Sequence, residues 1–165
     1  MPDAAVCDTS ALARFVRRHP RLFVLTGAGV STDSGIPGYR DADGRWTRTP
    51  PVCIDEFLHT VEGRRRYWRR SMLGWPQLAG ARPNAAHGAL ARLEALGRVA
   101  QLITQNVDGL HQRAGSRGTI ELHGNVHRAT CLLCGAVHPR AAIQQTLERQ
   151  NARFLRISDA VSVFQ

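Results

Sequence analysis

An unbroken apolar run ends at a glycine-rich turn near the start of the chain. Residues 22–25 read Leu-Phe-Val-Leu, and Gly27 and Gly29 follow shortly after. Such a run is typical of a strand buried on both faces, as in parallel sheets. Glycines there permit a sharp turn and close approach to a ligand, and a following helix start offers N–H groups and a positive dipole to a phosphate. The run therefore predicts a parallel α/β sheet with an anion-binding turn or, in the plainer alternative, only a tight strand-to-helix connection.

The glycine turn does not match the G-x-G-x-x-G dinucleotide fingerprint, because position 32 is Thr. The loop that follows, residues 35–41, combines a stiff proline turn with Tyr39 and Arg40. A loop of this kind beside a phosphate cradle is able to close over a ligand. The alternative is a surface loop whose charged side chains are simply solvated.

Helical and extended patterns alternate along the rest of the chain. This alternation predicts an α/β fold with a parallel sheet and helices on both faces. Apolar spacing, prolines and glycines predict longer helices at about 9–19, 54–73, 84–96 and 139–150, and short ones at 31–34 and 108–114. Further strands are expected at 98–104 and 120–122, whereas residues 151–165 show little pattern.

Composition bounds the remaining possibilities. The 165 residues carry 43% hydrophobic and 21% charged side chains, which fits one globular domain and excludes a disordered or fibrous chain. No apolar stretch is long enough for a membrane span, and the first ten residues lack a secretory signal pattern. The net charge of +9, in which every basic residue is Arg, predicts anionic partners such as phosphates, acidic acyl groups or nucleic acid.

Two polar clusters follow the second and third predicted strands. Gln105, Asn106 and Asp108 come directly after one strand, and His123 comes after the other. Ligands of open α/β sheets bind at the carboxyl ends of the strands, so both clusters should meet the glycine turn at one edge. His is the usual general base near neutral pH. The alternatives are that Asp108 only caps the next helix and that the histidines are structural.

Cys131 and Cys134 have the spacing of a zinc knuckle. Structural zinc normally takes two such pairs, and the other cysteines, Cys7 and Cys53, are not closely spaced. The pair therefore represents half of a zinc site or a redox pair. This use of cysteine favours a reducing, cytoplasmic location.

The segments GAGVSTDSGIPGYRDADGRW, TQNVDGLH, ELHG and CLLC, in that order, resemble the sirtuin family over residues 10–145 or so. The combination is far more specific than any single motif. RYWRRSMLGWPQ and PNAAH look most like the class II branch. The resemblance implies a Rossmann-like sheet and the start of a small zinc-binding subdomain.

In function, the resemblance implies an NAD-dependent protein-lysine deacylase acting on an acyl-lysine protein or peptide. An acyl oxygen displaces nicotinamide from the ribose, and the acyl group ends on ADP-ribose. His123 is the implied base, with Asn106 and Asp108 as the other catalytic positions. The implied zinc ligands are Cys131 and Cys134. The implied NAD-binding residues are Gly27, Ala28, Gly29, Ser31, Tyr39, Arg40, Gln105, Asn106, Asp108 and His123.

Tyr67 and Arg70 form a Y-x-x-R pair on one helix face. In some members of the sirtuin family this pair reads an acidic acyl chain such as succinyl. An acidic-acyl preference is therefore one hypothesis. The competing one is a core-packed Tyr67 beside a solvated Arg70.

The chain departs from the family in length. Sirtuin domains usually run to about 250 residues, and the second cysteine pair and the later Gly-Ser-rich loop are absent. We expect one incomplete domain over 1–165, with an exposed sheet edge, low solubility and impaired activity. Its expected parts are a Rossmann-like portion at about 10–48 and 84–124, a small helical insertion at about 49–82 and a half zinc ribbon at about 125–150.

Three other functions stay open on the sequence. Mono-ADP-ribosyl transfer would use the same cofactor and pocket. A nucleic-acid-binding module would use the basic, aromatic-containing run 64–70, although an amphipathic helix with a solvated Arg face explains that run as well. An inactive remnant would bind nothing.

Overall fold

The computed structural model of the chain describes residues 9–38, 43–45 and 50–158. The helices are α1 (Thr9–Arg18), a 3₁₀ helix (Ala28–Ser34), α2 (Ile54–His59), α3 (Val61–Gly80), α4 (Ala85–Ala95), α5 (Leu110–Arg113), α6 (Arg140–Gln150) and α7 (Ala152–Ser158). The strands are β1 (Leu22–Thr26), β2 (Val99–Thr104), β3 (Thr119–Glu121), β4 (Arg128–Thr130) and β5 (Val137–Pro139). Among the described residues, none of the helices combines the length and apolar character needed to cross a bilayer.

The first three strands form the predicted parallel sheet, in the order β1-β2-β3. Leu25 pairs with Ile103, and Ile103 pairs with Ile120, so the strands end at a common edge. The buried apolar residues among those described are Met72, Ala81, Leu102 and Leu110, and of these Leu102 and Leu110 are fully buried. The parallel α/β prediction is confirmed, and the carboxyl edge of this sheet is where the site is built.

One face of the sheet stays largely uncovered. Val24, Thr26, Leu102 and Thr104 alternate toward the face on which α4 and α5 pack, and the last three are buried. Phe23 on the opposite face is 68% exposed, and its neighbours Leu25 and Ile120 are exposed as well. Helices were predicted on both faces, whereas the described elements cover only one. The apolar run of β1 suggested a strand buried on both faces, but no described element packs against the residues that point to the second face.

The insertion after the first strand contains two helices rather than the single predicted one. The break falls at Thr60, whose extended backbone (φ −124°, ψ 141°) ends α2 and caps α3. Its hydroxyl oxygen accepts the N–H of Gly63 at 2.9 Å. Apolar periodicity continues through both helices, so it conceals a break that depends on one capping side chain. Helix α3 also runs on to Gly80, past the predicted end and with Pro76 inside it.

Helix α4 begins and ends at the predicted signals. The Asn84 side chain accepts the N–H groups of Ala86 and His87, and His87 in turn accepts the Asn84 N–H, which completes a capping box. Gly97 adopts the left-handed conformation (φ 69°) just after the helix. The ends of this helix are therefore set largely by residues close in sequence.

A small antiparallel hairpin and two helices follow the parallel sheet. β4 pairs with β5, a hairpin that the sequence analysis did not predict. Helix α7 likewise occupies part of the stretch read as lacking pattern. Arg140 is only 3% exposed, and its guanidinium carbon lies 5.6 Å from the Trp68 ring centroid and 5.2 Å from that of Trp75. These contacts attach α6 to α3.

Candidate functional site

The ends of β1, β2 and β3 bring the predicted polar clusters together. The Asn106 Nδ2 group donates to the Gly27 carbonyl and to Ser31 Oγ, each at 3.0 Å. His123 Nδ1 lies 3.0 Å from the carbonyl oxygen of Gln105. The glycine turn, the polar turn after β2 and the histidine after β3 thus share one edge of the sheet, as expected.

A buried hydrogen bond between Ser31 and Asp108 joins the glycine turn to the polar turn after β2. The Ser31 hydroxyl, 1% exposed, donates to Asp108 Oδ2 at 2.8 Å. The other carboxylate oxygen, Oδ1, accepts the N–H of Leu110 at 2.9 Å. Asp108 therefore binds the first N–H of α5 from the position before the Gly109 N-cap, which is close to its plainer alternative as a cap, and in the same position it holds Ser31. Both side chains are used within the protein rather than turned toward solvent.

His123 is exposed, and its ring is oriented by the backbone. A carbonyl oxygen only accepts, so the Nδ1 facing Gln105 carries the proton of the neutral ring. The lone pair is then on Nε2, which makes that nitrogen the basic one. A neutral imidazole fixed in this tautomer is suited to accept a proton from a bound hydroxyl group.

Glu121 holds the loop that carries this histidine. Its carboxylate accepts from Gln112 of α5, from Asn125, and from Arg128 in an ion pair. The loop is therefore tied to α5 on one side and to β4 on the other. A cavity of about 450 Å³ lies beside it, lined by Glu121 and by residues of α5 and β4.

The glycine turn differs in detail from the expectation. The Gly27 backbone is extended (φ −136°), so its conformation is open to any residue, and the left-handed glycine is Gly35 at the end of the 3₁₀ helix (φ 79°). At Gly29 an added Cβ would meet nothing within 4 Å. Asn84 Nδ2 supports the 3₁₀ helix by donating to the Val30 carbonyl at 2.8 Å. Space at Gly29, rather than a special backbone angle, is what the turn offers to a ligand.

Tyr39 and Arg40, which were predicted to close over the site, lie outside the described residues. Ala28, the remaining member of the predicted NAD-binding set in this turn, is half-buried at the start of the 3₁₀ helix.

Four buried polar residues lie near the site: the sequence reasoning missed two threonines, and the two histidines have the structural role that was their plainer alternative. Thr26 and Thr104 end β1 and β2 and share a hydrogen bond of 2.9 Å between their hydroxyls. His87 and His111 lie below them, with ring centroids 4.8 Å apart. A signal existed, because each strand changes from apolar to polar at its terminal threonine.

Tyr67 and Arg70 lie on α3, one turn apart. The Tyr67 ring packs edge-on against Phe57 at 4.9 Å and is 44% exposed. Arg70 Nη1 donates to the carbonyl of Pro50 at 2.6 Å. Tyr67 is therefore half packed against Phe57 and half exposed, and the Arg70 guanidinium uses one N–H on a backbone carbonyl.

The basic run on α3 is largely engaged within its own helix pair. Arg64 donates to backbone carbonyls of α2, Arg65 pairs with Glu62, and Arg66 pairs with Glu56. These contacts favour the plain alternative of an amphipathic helix over a surface for nucleic acid.

Cys131 and Cys134 flank the turn between β4 and β5. Backbone N–H groups of Cys134 and Leu133 point at the Cys131 sulfur and lower the pKa of this thiol. Such N–H donors suit a thiolate ligand. Within the described residues, however, no three His, Cys, Asp or Glu side chains come together as a metal site. The two thiols fit half of a four-coordinate zinc site.

Comparison with known proteins identifies the family. The model of the Sir2 family matches residues 27–161. An NAD-dependent protein deacetylase 2 of Bradyrhizobium diazoefficiens is 55% identical over 162 residues, which cover 97% of this chain and 59% of that protein. An NAD-dependent protein deacetylase of Xanthomonas campestris pv. campestris is 54% identical, over 86% of this chain and 48% of its own. The chain belongs to the Sir2 family, and it spans about half the length of these curated relatives.

Solved structures agree with this assignment. A Sir2 complex with a p53 peptide and NAD⁺ superimposes with a TM-score of 0.73 at 36% identity, covering 85% of this chain and 55% of the other. A complex of a Sir2 homologue mutant with ADP-ribose gives 0.68 at 38% identity, covering 76% and 52%. The Rossmann-like parallel sheet predicted from the resemblance is therefore confirmed.

Proposed function

We propose that this chain carries the nicotinamide side of an NAD-dependent protein deacylase site, which transfers an acyl group from lysine to ADP-ribose and releases nicotinamide. The observation that carries the proposal is the hydrogen bond from the His123 imidazole to the Gln105 carbonyl, next to the Asn106 side chain that holds the Gly27 turn. Relatives named NAD-dependent protein deacetylases support it, as do Sir2 complexes with NAD⁺ and peptide. The substrate is then an acyl-lysine protein or peptide.

His123 is the proposed general base. Its Nδ1 proton is held by the Gln105 carbonyl, so its Nε2 is available to take a proton from a ribose hydroxyl near neutral pH. When bound, NAD supplies the ribose carbon at which nicotinamide leaves and the acyl oxygen is received. Substitution at such a cation-like carbon depends on exact placement and exclusion of water more than on a strong nucleophile.

The remaining residues are proposed to place the ligand. Asn106 fixes the turn by holding Gly27 and Ser31, and Asp108 holds Ser31 in turn. The open space at Gly29 lets phosphates approach the backbone. The loop residues Tyr39 and Arg40 are proposed to exclude water from the ribose.

We propose that Cys131 and Cys134 supply two ligands of a zinc site, with no part in the chemical step. The lowered pKa of Cys131 favours the thiolate that zinc requires. A pair of thiols in this state also agrees with a reducing, cytoplasmic location. Zinc binding by the full chain, compared with Cys131→Ser, tests the proposal, and equal zinc content in both would refute it.

An acidic-acyl preference is proposed for Tyr67 and Arg70. Their spacing on α3 places a phenol and a guanidinium one turn apart, which suits a carboxylate. Succinyl and acetyl peptides compared in the presence of NAD test the preference. Equal rates, unchanged by Arg70→Ala, would refute it.

We propose that the 165 residues alone have low activity and solubility. The Bradyrhizobium relative has only 59% of its length matched, and Phe23, Leu25 and Ile120 leave one face of the sheet exposed. A parallel sheet is normally covered on both faces.

The test uses the full chain with NAD and an acetyl-lysine peptide, and mass spectrometry of the products. We expect slow formation of acyl-ADP-ribose with release of nicotinamide, and none in His123→Ala. The matched control is His59→Ala, an exposed histidine on α2, which should behave as wild type. ADP-ribosylated peptide in place of acyl-ADP-ribose would replace the proposal with mono-ADP-ribosyl transfer.

A chain that turns over too slowly still allows a binding test. Nicotinamide should slow hydrogen exchange in the segment that follows β2, residues 105–108. No turnover together with no protection would refute the proposed function.

A further inference from the structure

Two imidazoles lie buried beneath the candidate site. His87 on α4 is 0% exposed and His111 on α5 is 1% exposed, and their ring centroids are 4.8 Å apart. Neither belongs to the residues proposed above to contact NAD or acyl-lysine. Buried titratable groups of this kind require a physical explanation, because an unpaired polar atom costs free energy.

His111 is connected to the site through two hydroxyl groups. Its Nε2 lies 2.9 Å from Thr26 Oγ1, whose own proton is donated to Thr104 Oγ1. The Thr26 oxygen therefore accepts from His111, which puts the imidazole proton on Nε2. Thr104 Oγ1 also accepts the backbone N–H of Asn106 at 3.1 Å. A chain of hydrogen bonds thus runs from the buried ring to the turn that holds Gly27.

The two rings each keep one buried nitrogen outside these contacts. His87 Nδ1 lies 3.3 Å from the backbone N–H of Asn84 and 3.0 Å from Asn84 Oδ1, so this nitrogen meets both a donor and an acceptor. His87 Nε2 and the bare Nδ1 of His111 are both buried, and neither has a hydrogen-bond partner in the described structure. A second proton on His111 would place an N–H on Nδ1 where the structure provides no acceptor.

The surroundings oppose that second proton. Burial lowers the pKa of His111, and the neighbouring His87 lowers it further, against the opposite effects of Asp108 and Glu94. Burial also lowers the pKa of His87, with Asp108 acting in the opposite sense. The charged groups facing the pair are thus Asp108, before α5, and Glu94 of α4, while β1 and β2 present only hydroxyls.

We propose that His111, supported by His87, is a positioning residue that locks the turn at Asn106, and that protonation of the imidazole pair releases this turn. The effect of this turn on ligand placement rests on the proposed function, which puts Asn106 at the ribose. The lock itself exists in the chain without ligand.

Hydrogen–deuterium exchange of the full chain, measured by mass spectrometry without ligand, tests the lock. The readout is the segment 105–110, with α6 as the internal reference. His111→Phe removes the donor and keeps a ring, whereas His111→Gln keeps an N–H near the Nε2 position. At neutral pH we expect exchange in the segment to rise about ten-fold in His111→Phe and to stay within about two-fold of wild type in His111→Gln.

Acid provides the second arm, read as exchange in the segment relative to exchange in α6, because a general loss of stability would raise both. After correction for the intrinsic pH dependence, wild-type exchange in the segment should rise about ten-fold as pH falls below 6.5, the ordinary pKa of the imidazole. His111→Phe should show no such step.

Several results would overturn the proposal. Equal exchange in wild type and His111→Phe would do so, as would His111→Gln exchanging as fast as His111→Phe. If α6 also loses protection in His111→Phe, that variant is destabilised as a whole and the wild-type acid response becomes the deciding measurement. No rise of wild-type exchange in acid would then overturn the proposal. Nicotinamide binding separates the two proposals. If the His111 variants behave as expected but the chain binds no nicotinamide, the positioning role stands and the proposed function is refuted. If nicotinamide protects the segment but the His111 variants exchange like wild type, the proposed function stands and the positioning role is refuted.

Discussion

The buried imidazole pair should make the stability of this protein strongly dependent on pH in a narrow range. Burial lowers the pKa of both His87 and His111 below 6.5 in the folded chain. The unfolded chain, in which both rings are hydrated, takes up its protons at the ordinary value. Between the folded and unfolded pKa values the unfolded state binds more protons, so stability falls as pH falls.

The size of the effect follows from the number of protons. Each imidazole that is protonated only in the unfolded state contributes about 1.4 kcal/mol of unfolding free energy per pH unit. Two such rings give a limiting slope of about 2.7 kcal/mol per pH unit below pH 6.5. For a domain whose total stability is about 5–15 kcal/mol, one pH unit is then a substantial loss.

Carboxylates act in a lower range, which keeps the two effects apart. Burial would raise the pKa of Glu94, but hydrogen bonds from the N–H groups of Gly118 and Arg117 outweigh it and lower the pKa below 4.5. The stabilisation by Glu94 is present above pH 4.5 and is lost as pH falls through the folded pKa. The region between pH 6.5 and about 5.5 therefore reports mainly on the buried imidazoles.

Urea titrations followed by tryptophan fluorescence at pH 7.5, 6.5 and 5.5 measure the slope. The double variant His87→Gln/His111→Gln should be nearly flat over this range. The matched control His59→Gln, on the exposed surface of α2, should keep the wild-type slope. A wild-type chain with no loss between pH 6.5 and 5.5, or a double variant with the wild-type slope, would refute the reasoning.

Substitutions at four further positions test local structure through the free energy of unfolding. Ser31→Ala removes a hydrogen bond from the buried Asp108 carboxylate and one from the half-buried Asn106 amide, and should cost about 1–3 kcal/mol; a loss below about 0.5 kcal/mol would contradict its linking role. Gly63→Ala places a Cβ in steric clash with the Glu56 carbonyl oxygen and should cost about 1–3 kcal/mol, whereas Gly74→Ala meets nothing within 4 Å and should stabilise by up to about 1 kcal/mol. The same sign for both would show that the helix pair does not pack as described. Thr60→Ala should cost about 1 kcal/mol by removing the cap of α3, while Thr60→Ser should retain it.

Much of the fold was predictable because its signals are local. The apolar run of β1 and the Asn84 cap of α4 each depend on residues within a few positions of one another. The break at Thr60 was not predictable from periodicity, since both helices keep the same apolar spacing and only the capping geometry separates them. The β4–β5 hairpin was missed because its strands are three residues long, which is too short for an alternating pattern to stand out.

The sequence alone determined which chemical groups stand at the ends of the strands, and the rule for parallel sheets put them at one edge. Only the tertiary structure decided how they connect. Ser31 reaches Asp108 across 77 positions and Thr26 reaches His111 across 85, and no periodic pattern encodes such contacts. The reason is physical: strand formation responds to neighbouring residues, whereas hydrogen bonding of buried polar groups depends on where the folded backbone places them.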